Sequence, residues 1–491
     1  MVDVLFGQSY YLRFDPKLWQ AMQPYPPLGS LYAAAYCRQQ GYHVAVFDSM
    51  LAESEAGWAQ SLETHNPKFA VLYEDSFNYL SKMCLLRMRE AAYRMAEMAK
   101  SRGCIVIASG SDATDHADNY FAHGVDFLLV GEGELTLVEL LDHLSRRDDK
   151  SPPKIAGLAW PNNGHVDRSM ARPFERNLDR FPFPAFNLVD LSRYRQIWDD
   201  QHGYFSMNMV TTRGCPYRCN WCAKPIYGRR YNSRSPENVV KELKWLKDTY
   251  RPDHIWFADD IFGLKPGWIE RFSELAVAED ALIPFKCLQR VDLVSEEVAQ
   301  ALKAAGCRTV WMGAESGSQK ILDAMDKDAT VEDIYLAAER LRRVGIEVCF
   351  FIQFGYPGEN WDDVQKTLKL VRECAPDDIG ISVSYPLPGT KFYENVALQL
   401  GEKTNWVDSA DLAMLYRGPF VQEFYRVLHH RVHHEFRARK AWRKVAAAAK
   451  RPATVRPLHA RQALSIPVNL LRLGKSSLQL RKLAIERNVT G

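Results

Sequence analysis

The chain has 491 residues, 47% of them hydrophobic and 25% charged. That length predicts two or three domains with ample apolar surface to bury, and the composition excludes a wholly disordered, collagen-like or disulfide-scaffold chain. The net charge of +3 hides an asymmetry: residues 419–491 carry 16 Lys and Arg against 3 Asp and Glu, so the rest of the chain is acidic. No apolar run reaches the ~18 residues of a membrane span. The start, Met1-Val-Asp-Val-Leu-Phe, lacks the basic flank and apolar core of a signal peptide, so a cytoplasmic protein is expected.

In chain order, residues 1–147 alternate short apolar runs with helical patterns. Strands are predicted at 2–6, 43–47, 69–73, 104–108 and 125–130, with a long helix near 80–100. This rhythm predicts an α/β domain with a Rossmann-like, doubly wound parallel sheet. Ligands of such sheets bind beyond the carboxyl ends of the strands. There lie Tyr25-Pro-Pro-Leu-Gly29, Glu74-Asp75-Ser76, Ser109-Gly-Ser-Asp-Ala-Thr114 and Gly131-Glu-Gly-Glu134, whose small residues suit close backbone approach. Residues 148–200 read as a connector. It holds a hairpin turn at 161–164, and the prolines of Phe181-Pro-Phe-Pro-Ala-Phe186 resist regular structure. From Phe205 the βα rhythm resumes six times, with strands at 206–211, 254–257, 285–288, 309–312, 348–353 and 379–384. Residues 201–400 are therefore expected to form a partial (βα)6 TIM-type barrel with its reactive groups at the carboxyl ends of the strands. Ser235-Pro236-Glu237 has the residues that start a helix: a cap, a proline in the first turn and an acid at the positive end. A basic helical region, 401–491, completes the chain.

Seven of the ten cysteines are scattered, mostly within apolar strands or helices, and read as small buried hydrophobes. The other three, Cys215, Cys219 and Cys222, stand at Cys-x3-Cys-x2-Cys spacing in the loop after the first barrel strand. Thiolates are soft ligands for zinc or iron–sulfur clusters. A structural zinc takes four ligands, and no fourth Cys or His lies close in sequence. Lys224, Arg229 and Arg230 follow instead, a cationic setting that favours thiolates. Three ligands on a four-iron cluster leave one iron open to a substrate or cofactor.

Cys215-x3-Cys219-x-Trp221-Cys222, with its aromatic residue before the last cysteine, resembles the signature of the radical S-adenosylmethionine (radical SAM) enzymes. The resemblance extends along the later strand ends, through Phe257-Ala-Asp-Asp-Ile-Phe262, Gln289-Arg290, Gly313-Ala-Glu-Ser-Gly317, Phe354-Gly-Tyr-Pro-Gly-Glu359 and Ser384-Tyr-Pro-Leu-Pro-Gly-Thr390. It implies a 4Fe-4S cluster on the three cysteines and SAM held on the open iron. It also implies a one-electron reductase of flavodoxin or ferredoxin type, and cleavage of SAM to methionine and a 5′-deoxyadenosyl radical. By that similarity Trp221 presents backbone to the adenine and Glu315 contacts the ribose or amino group. Arg290 is the partner of the SAM carboxylate, and Asp259 and Gly355 belong to the same site. Asp259 or Asp260 would otherwise cap the next helix, whereas a buried Glu315 calls for a polar partner.

Tyr25-Pro-Pro-Leu-Gly29, Gly131-Glu-Gly-Glu134 and the connector from Arg172 to Phe186 resemble the cobalamin-binding branch of this superfamily, and together the resemblances cover about residues 1–400. They imply cobalamin near Gly29, Ser109, Gly110, Gly131 and Glu132, held without a histidine axial ligand, because Asp-x-His-x-x-Gly is missing from the sequence. His116 and His123 read as ordinary surface or core residues. The implied chemistry is functionalisation of an unactivated carbon by methyl transfer. The alternative is radical oxidative cyclisation or C–C bond formation, as in the anaerobic Mg-protoporphyrin ester cyclase. A metal-binding adaptor without activity is the remote rival. No catalytic side chain beyond the cofactor ligands is legible.

In the basic tail, His429/His433 and His430/His434 are spaced to share a metal on a helix, but no acid or thiol accompanies them. The segment 466–483 sets leucines among Arg and Lys and resembles an amphipathic interfacial segment. A solvated helical extension and contact with an anionic membrane are the two expectations. Nucleic acid ranks last, since no aromatic-rich RNA-binding strand pattern occurs. The tail favours a lipid-like or membrane-delivered substrate among the small molecules that the site would take.

Overall fold

The structure, a computed structural model, describes residues 2–83, 85–146, 154–224, 226–403, 405–449 and 457–485. Its first sheet contains β1 (Val4–Gly7), β2 (Val44–Val46), β3 (Phe69–Tyr73), β4 (Ile105–Ser109) and β5 (Phe127–Leu129), all parallel, in the order β2-β1-β3-β4-β5. β1 and β3 are buried along their whole length, as a parallel strand covered by helices on both faces must be. Helices Leu28–Gln39 and Gly133–Arg146 lie on one face and helix Leu86–Ser101 on the other. The strand order reverses between β1 and β3, which opens a crevice at their carboxyl ends.

The connector contributes more structure than its prolines suggested. β6 (Leu158–Asn162) and β7 (His165–Arg168) form a hairpin that extends the first sheet antiparallel to β5. The turn sits where the sequence predicted it. Asn163 and Gly164 both have positive φ, the backbone that matches the twist of a tight hairpin. Pro161 is tolerated because the pairing with β5 ends at Ala159, so its missing N–H costs no ladder bond on that side.

The second sheet begins with β8 (Ser206–Met209). A short antiparallel ladder, β9 (Thr212–Arg213) with β10 (Asn232–Ser233), closes the base of the cysteine loop. Then come β11 (His254–Phe257), β12 (Phe285–Gln289), β13 (Cys307–Glu315), β14 (Glu347–Phe354) and β15 (Asp378–Val383), joined to β8 in one parallel six-stranded array in sequence order. Ile255 and Phe257 are buried in the helical layer, while the alternate residues His254 and Trp256 stand on the concave face and are only partly buried. The intervening helix Pro236–Thr249 starts as its sequence dictates: Ser235 Oγ accepts the Asn238 amide at 3.1 Å, and Pro236 occupies the first turn.

Two long helices, Gln422–Ala449 and Pro457–Ile485, close the chain as an antiparallel pair, with Arg431 against Ser477 at 3.2 Å and His434 against Asn469 at 3.3 Å. No described helix is long and apolar enough to cross a membrane. Cys84 lies outside the described residues; the described cysteines are all free thiols.

Candidate functional site

The cysteine loop is anchored before it begins. Asp259, at the end of β11, accepts the Thr211 amide at 2.7 Å, the Thr212 amide at 2.9 Å and the Thr211 hydroxyl at 2.6 Å. Burial raises its pKa to about 6, against the pull of those threonine bonds. Asp259 was expected at the cofactor or as a cap of the next helix. Both its oxygens accept bonds from the loop, and it does not cap the next helix, Trp268–Ala278, which has Gly267 at its cap position. Gly214 follows with φ +79°; a Cβ there would lie 2.2 Å from the Arg230 carbonyl oxygen, so only glycine fits. Cys215 and Cys219 are buried and Cys222 is partly exposed.

Asn220, between the second and third cysteines, ties the loop to the segments that follow β13, β14 and β15. Its amide donates to Met325 O at 3.0 Å and its Nδ2 to Ala324 O at 2.8 Å. Its Oδ1 accepts Tyr356 Oη–H at 2.8 Å, and its carbonyl accepts the Phe392 amide at 3.0 Å. Trp221 packs against the apolar group that contains Met325, Tyr356 and Tyr416, and its indole N–H has no partner among the described residues.

Cations surround the thiols. Burial raises the pKa of Cys215, and Lys224, whose Nζ donates to Tyr217 O at 2.5 Å, offsets this only in part. The Arg290 guanidinium stacks 3.6 Å over the Tyr217 ring and reaches Cys219 Sγ at 3.7 Å. Its other donors go to Asp292 and to the carbonyl oxygen of Lys327. Lys327 Nζ meets Glu315 Oε1 at 3.0 Å. Burial disfavours the Lys327 charge, but Glu315 and Cys219 outweigh it and raise the pKa. Glu315 itself sits at φ +55°, just past a register break in β13, a conformation that a non-glycine residue adopts only when its surroundings enforce it. Gly313 leaves it room, because a Cβ there would be 2.5 Å from Glu315 Oε1. Arg290 and Glu315 are thus brought to the cysteine loop together with Lys327. Gly355 (φ +88°) donates its amide to Glu359 at 2.7 Å and accepts from Tyr416 Oη–H; Glu359 is buried, and its pKa is pushed up to about 8.

The first sheet turns its own carboxyl edge toward the same region. Asp75 receives the Leu28 and Gly29 amides at 3.2 Å each, so it caps helix Leu28–Gln39 from the end of β3. A Cβ on Gly29 would stand 3.1 Å from Asp75 Cα, and one on Gly110 (φ +140°) would stand 2.9 Å from Glu74 Cβ. Ser109 O accepts the Glu74 amide at 3.2 Å. Gly29, Ser109 and Gly110 therefore converge on Glu74 and Asp75, at the crevice between β1 and β3. Several polar atoms buried there have no hydrogen-bond partner among the described residues: both amide atoms of Gln8, Tyr10 Oη and Glu74 Oε2, with Asn208 Oδ1 on β8. Burial pushes Glu74 up to about 7, against the bonds it accepts from Ser9.

Gly131 and Glu132 meet the barrel differently. Arg213, two residues before Cys215, is buried, with Nη2 at 2.6 Å from Glu134 Oε1 and Nη1 at 3.4 Å from Glu132 Oε1. The other Glu132 oxygen accepts the Glu175 amide at 2.7 Å. Glu132, expected at cobalamin, thus has its carboxylate engaged in joining the two sheets. Arg213, Asn220 and Lys327 were not anticipated. Arg213 had one visible signal, its place in Thr-Thr-Arg-Gly-Cys beside the clustered cysteines.

The concave face of the barrel is aromatic with one cation. Lys286 Nζ lies 5.1 Å from the Trp256 ring and 5.5 Å from the Tyr25 ring. Burial lowers its pKa, and no carboxylate among the described residues forms a salt bridge with it. Trp311 and Phe351 stack at 4.7 Å on the neighbouring strands. Elsewhere, the His429 and His433 rings lie 4.5 Å apart, and burial lowers their pKa values to about 3 and about 4. No third ligand-type side chain joins them among the described residues. His123 pairs with Glu97 at 2.6 Å at the surface and His116 lies 3.8 Å from Asp112, in keeping with ordinary roles.

Residues 209–371 match the radical SAM superfamily. An uncharacterised methyltransferase of Pyrococcus horikoshii is 29% identical over 388 residues, spanning 78% of this chain and 81% of that protein. The hopanoid C-3 methylase of Methylococcus capsulatus is 26% identical over 394 residues, 76% of this chain and 69% of its own length. The anaerobic magnesium-protoporphyrin IX monomethyl ester cyclase of Synechocystis is 24% identical over 395 residues, 78% and 75%. The fold is that of the radical SAM methyltransferase TsrM from Kitasatospora setae, whose structure holds cobalamin and a 4Fe-4S cluster. The TM-score is 0.66 at 19% identity, with 81% of this chain and 78% of that one covered.

Proposed function

From a chain whose residues 209–371 are a radical SAM domain, we propose a cobalamin-dependent radical SAM methyltransferase acting on a small molecule. The observation that carries this reading is the braced loop of three free thiols, Cys215, Cys219 and Cys222, set among Lys224, Arg290 and Lys327. An all-thiolate donor set of three suits a 4Fe-4S cluster with one open iron. Bound, the cluster and SAM supply a carbon radical by one-electron cleavage, and cobalamin supplies a methyl group.

The chain's own residues position and shield. Arg290 reaches Cys219 Sγ at 3.7 Å and, with Lys327, holds the loop from the barrel side. Glu315 is held through Oε1 by Lys327, and a carboxylate so placed suits a contact to the amino or hydroxyl groups of SAM. The Trp221 backbone, beside the tightly packed turn at Gly355, fits the adenine side. At the sheet edge, Gln8, Tyr10, Glu74 and Asn208 present buried donors and acceptors that call for a partner, and the amide-rich rim of cobalamin supplies such groups. Asp259 and Glu132 act through the loops they hold. Trp256, Trp311 and Phe351 with Lys286 line the face where substrate would lie, which favours an apolar or aromatic body bearing an anionic group.

Similarity to methyltransferases and to a cyclase leaves two reaction types with different products. Methyl transfer uses one SAM to recharge cobalamin and a second to make the radical. S-adenosylhomocysteine and 5′-deoxyadenosine then rise together under anaerobic, reducing conditions, and the product gains one methyl. Product formation with 5′-deoxyadenosine but no S-adenosylhomocysteine would assign the cyclisation or coupling chemistry instead.

A further inference from the structure

We propose that helix Pro457–Ile485 is an interfacial element that seats the protein on an anionic lipid bilayer. The helix contains no Asp or Glu. Its inner side is used within the fold: Leu480 is fully buried, Ser476 is buried, and Ser477 and Asn469 bond to the preceding helix. Its outer side is different. Leu464, Val468, Leu471 and Leu478 follow one another at intervals of four, three and seven residues, which puts them on one face of a helix. They are 74%, 47%, 76% and 66% exposed. On the side toward the preceding helix, Leu470 and Trp442, 51% and 64% exposed, line a separate cavity of about 350 Å³ with Ile466, Leu473, Glu435 and Arg439.

Soluble proteins rarely leave several large apolar side chains clustered and open to water. Charge decides what covers these. Lys475 and Lys482 alternate with the leucines along the same ridge and Arg472 and Arg481 flank it; all four are exposed, and no carboxylate among the described residues forms a salt bridge with them. A second copy of the helix would bring these cations against each other, whereas a bilayer bearing phosphate headgroups accepts both the charges and the leucines. The helix lies on such a surface and does not cross it, since no described helix is apolar enough to span a membrane.

The test uses the full chain with its cluster reconstituted, sedimented with vesicles of phosphatidylcholine alone or mixed with phosphatidylglycerol. The protein should bind the mixed vesicles and leave the neutral ones largely free, with binding that weakens in high salt but keeps a residual part. L471D/L478D should lose about tenfold or more in binding, and K475Q/R481Q/K482Q should lose mainly the salt-sensitive part. Both variants should keep the iron content and uncoupled SAM cleavage of the native protein, because all five substituted side chains are exposed. Indifference to anionic vesicles overturns the proposal, as does equal binding by L471D/L478D. Light scattering that shows a dimer dissolved by L471D/L478D would give the stripe to a second copy. Duplex DNA binding that matches vesicle binding and ignores the leucine changes would reduce it to a polyanion site.

Discussion

The two edges that face each other in the middle of this molecule are finished differently. At the barrel edge the chain braces itself: Asp259 takes three hydrogen bonds from Thr211 and Thr212, and Asn220 reaches Ala324, Met325, Tyr356 and Phe392. At the sheet edge, both amide atoms of Gln8, the Tyr10 hydroxyl and one Glu74 oxygen are buried without a partner among the described residues. A buried polar group left unpaired costs about 1–3 kcal/mol. The barrel edge is therefore a frame whose loop the chain braces itself, although Trp221 Nε1, Thr212 Oγ1 and Glu359 Oε1 there also lack partners among the described residues. The sheet edge, without such bracing, has the chemistry of a surface completed by a ligand.

The strongest way to break the comparison is at the joint between the edges. Arg213→Met leaves Glu132 and Glu134 buried without their cation and should destabilise the protein by about 3–5 kcal/mol in denaturant unfolding. Adding Glu134→Gln should recover part of the loss. A loss under about 1 kcal/mol would mean that the ion cluster does not join the halves.

Next comes a matched pair. Asn220→Leu removes a bonded amide and should cost about 2–3 kcal/mol. Gln8→Leu removes an unbonded amide of similar size, so in cobalamin-free protein its stability should be unchanged or rise by about 1 kcal/mol. The same Gln8→Leu protein should retain cobalamin less well through gel filtration, by about tenfold in affinity if one bidentate amide contact is lost. Equal destabilisation by the two changes would erase the contrast.

The smallest effect is one of pH. Glu74 has its pKa raised from 4.5 to about 7 by burial. The folded state thus holds this proton more tightly than the unfolded chain. The stability it contributes is fully present below about pH 4.5 and is lost as pH rises through about 7. Glu74→Gln should flatten that part of the profile, and its advantage over the native protein should grow between pH 5 and 7.5. A constant difference across that range would place Glu74 in water.

The strands were legible because each is a short apolar run between turn residues; Phe69–Tyr73 and His254–Phe257 begin and end where the pattern says. The β6–β7 hairpin was legible only at its Asn-Gly turn, since its strands are half-exposed and one contains a proline. The cysteine cluster announced itself through local spacing. Its supports did not: Asn220 meets Tyr356 across 136 residues and Arg213 meets Glu134 across 79, contacts made by strand order rather than by any local pattern. For the same reason the hydrogen-bond partners of Asp259 and Glu132, Thr211 and Arg213, were not legible.

The central claim is that Cys215, Cys219 and Cys222 hold a catalytic iron–sulfur cluster, and the most direct measurement is iron content together with 5′-deoxyadenosine formation after anaerobic reconstitution. The native chain should bind about four irons and cleave SAM when reduced. The variant with all three cysteines replaced by Ala should do neither while keeping its circular dichroism. Cluster absorbance or 5′-deoxyadenosine that persists in the folded triple variant would contradict the account.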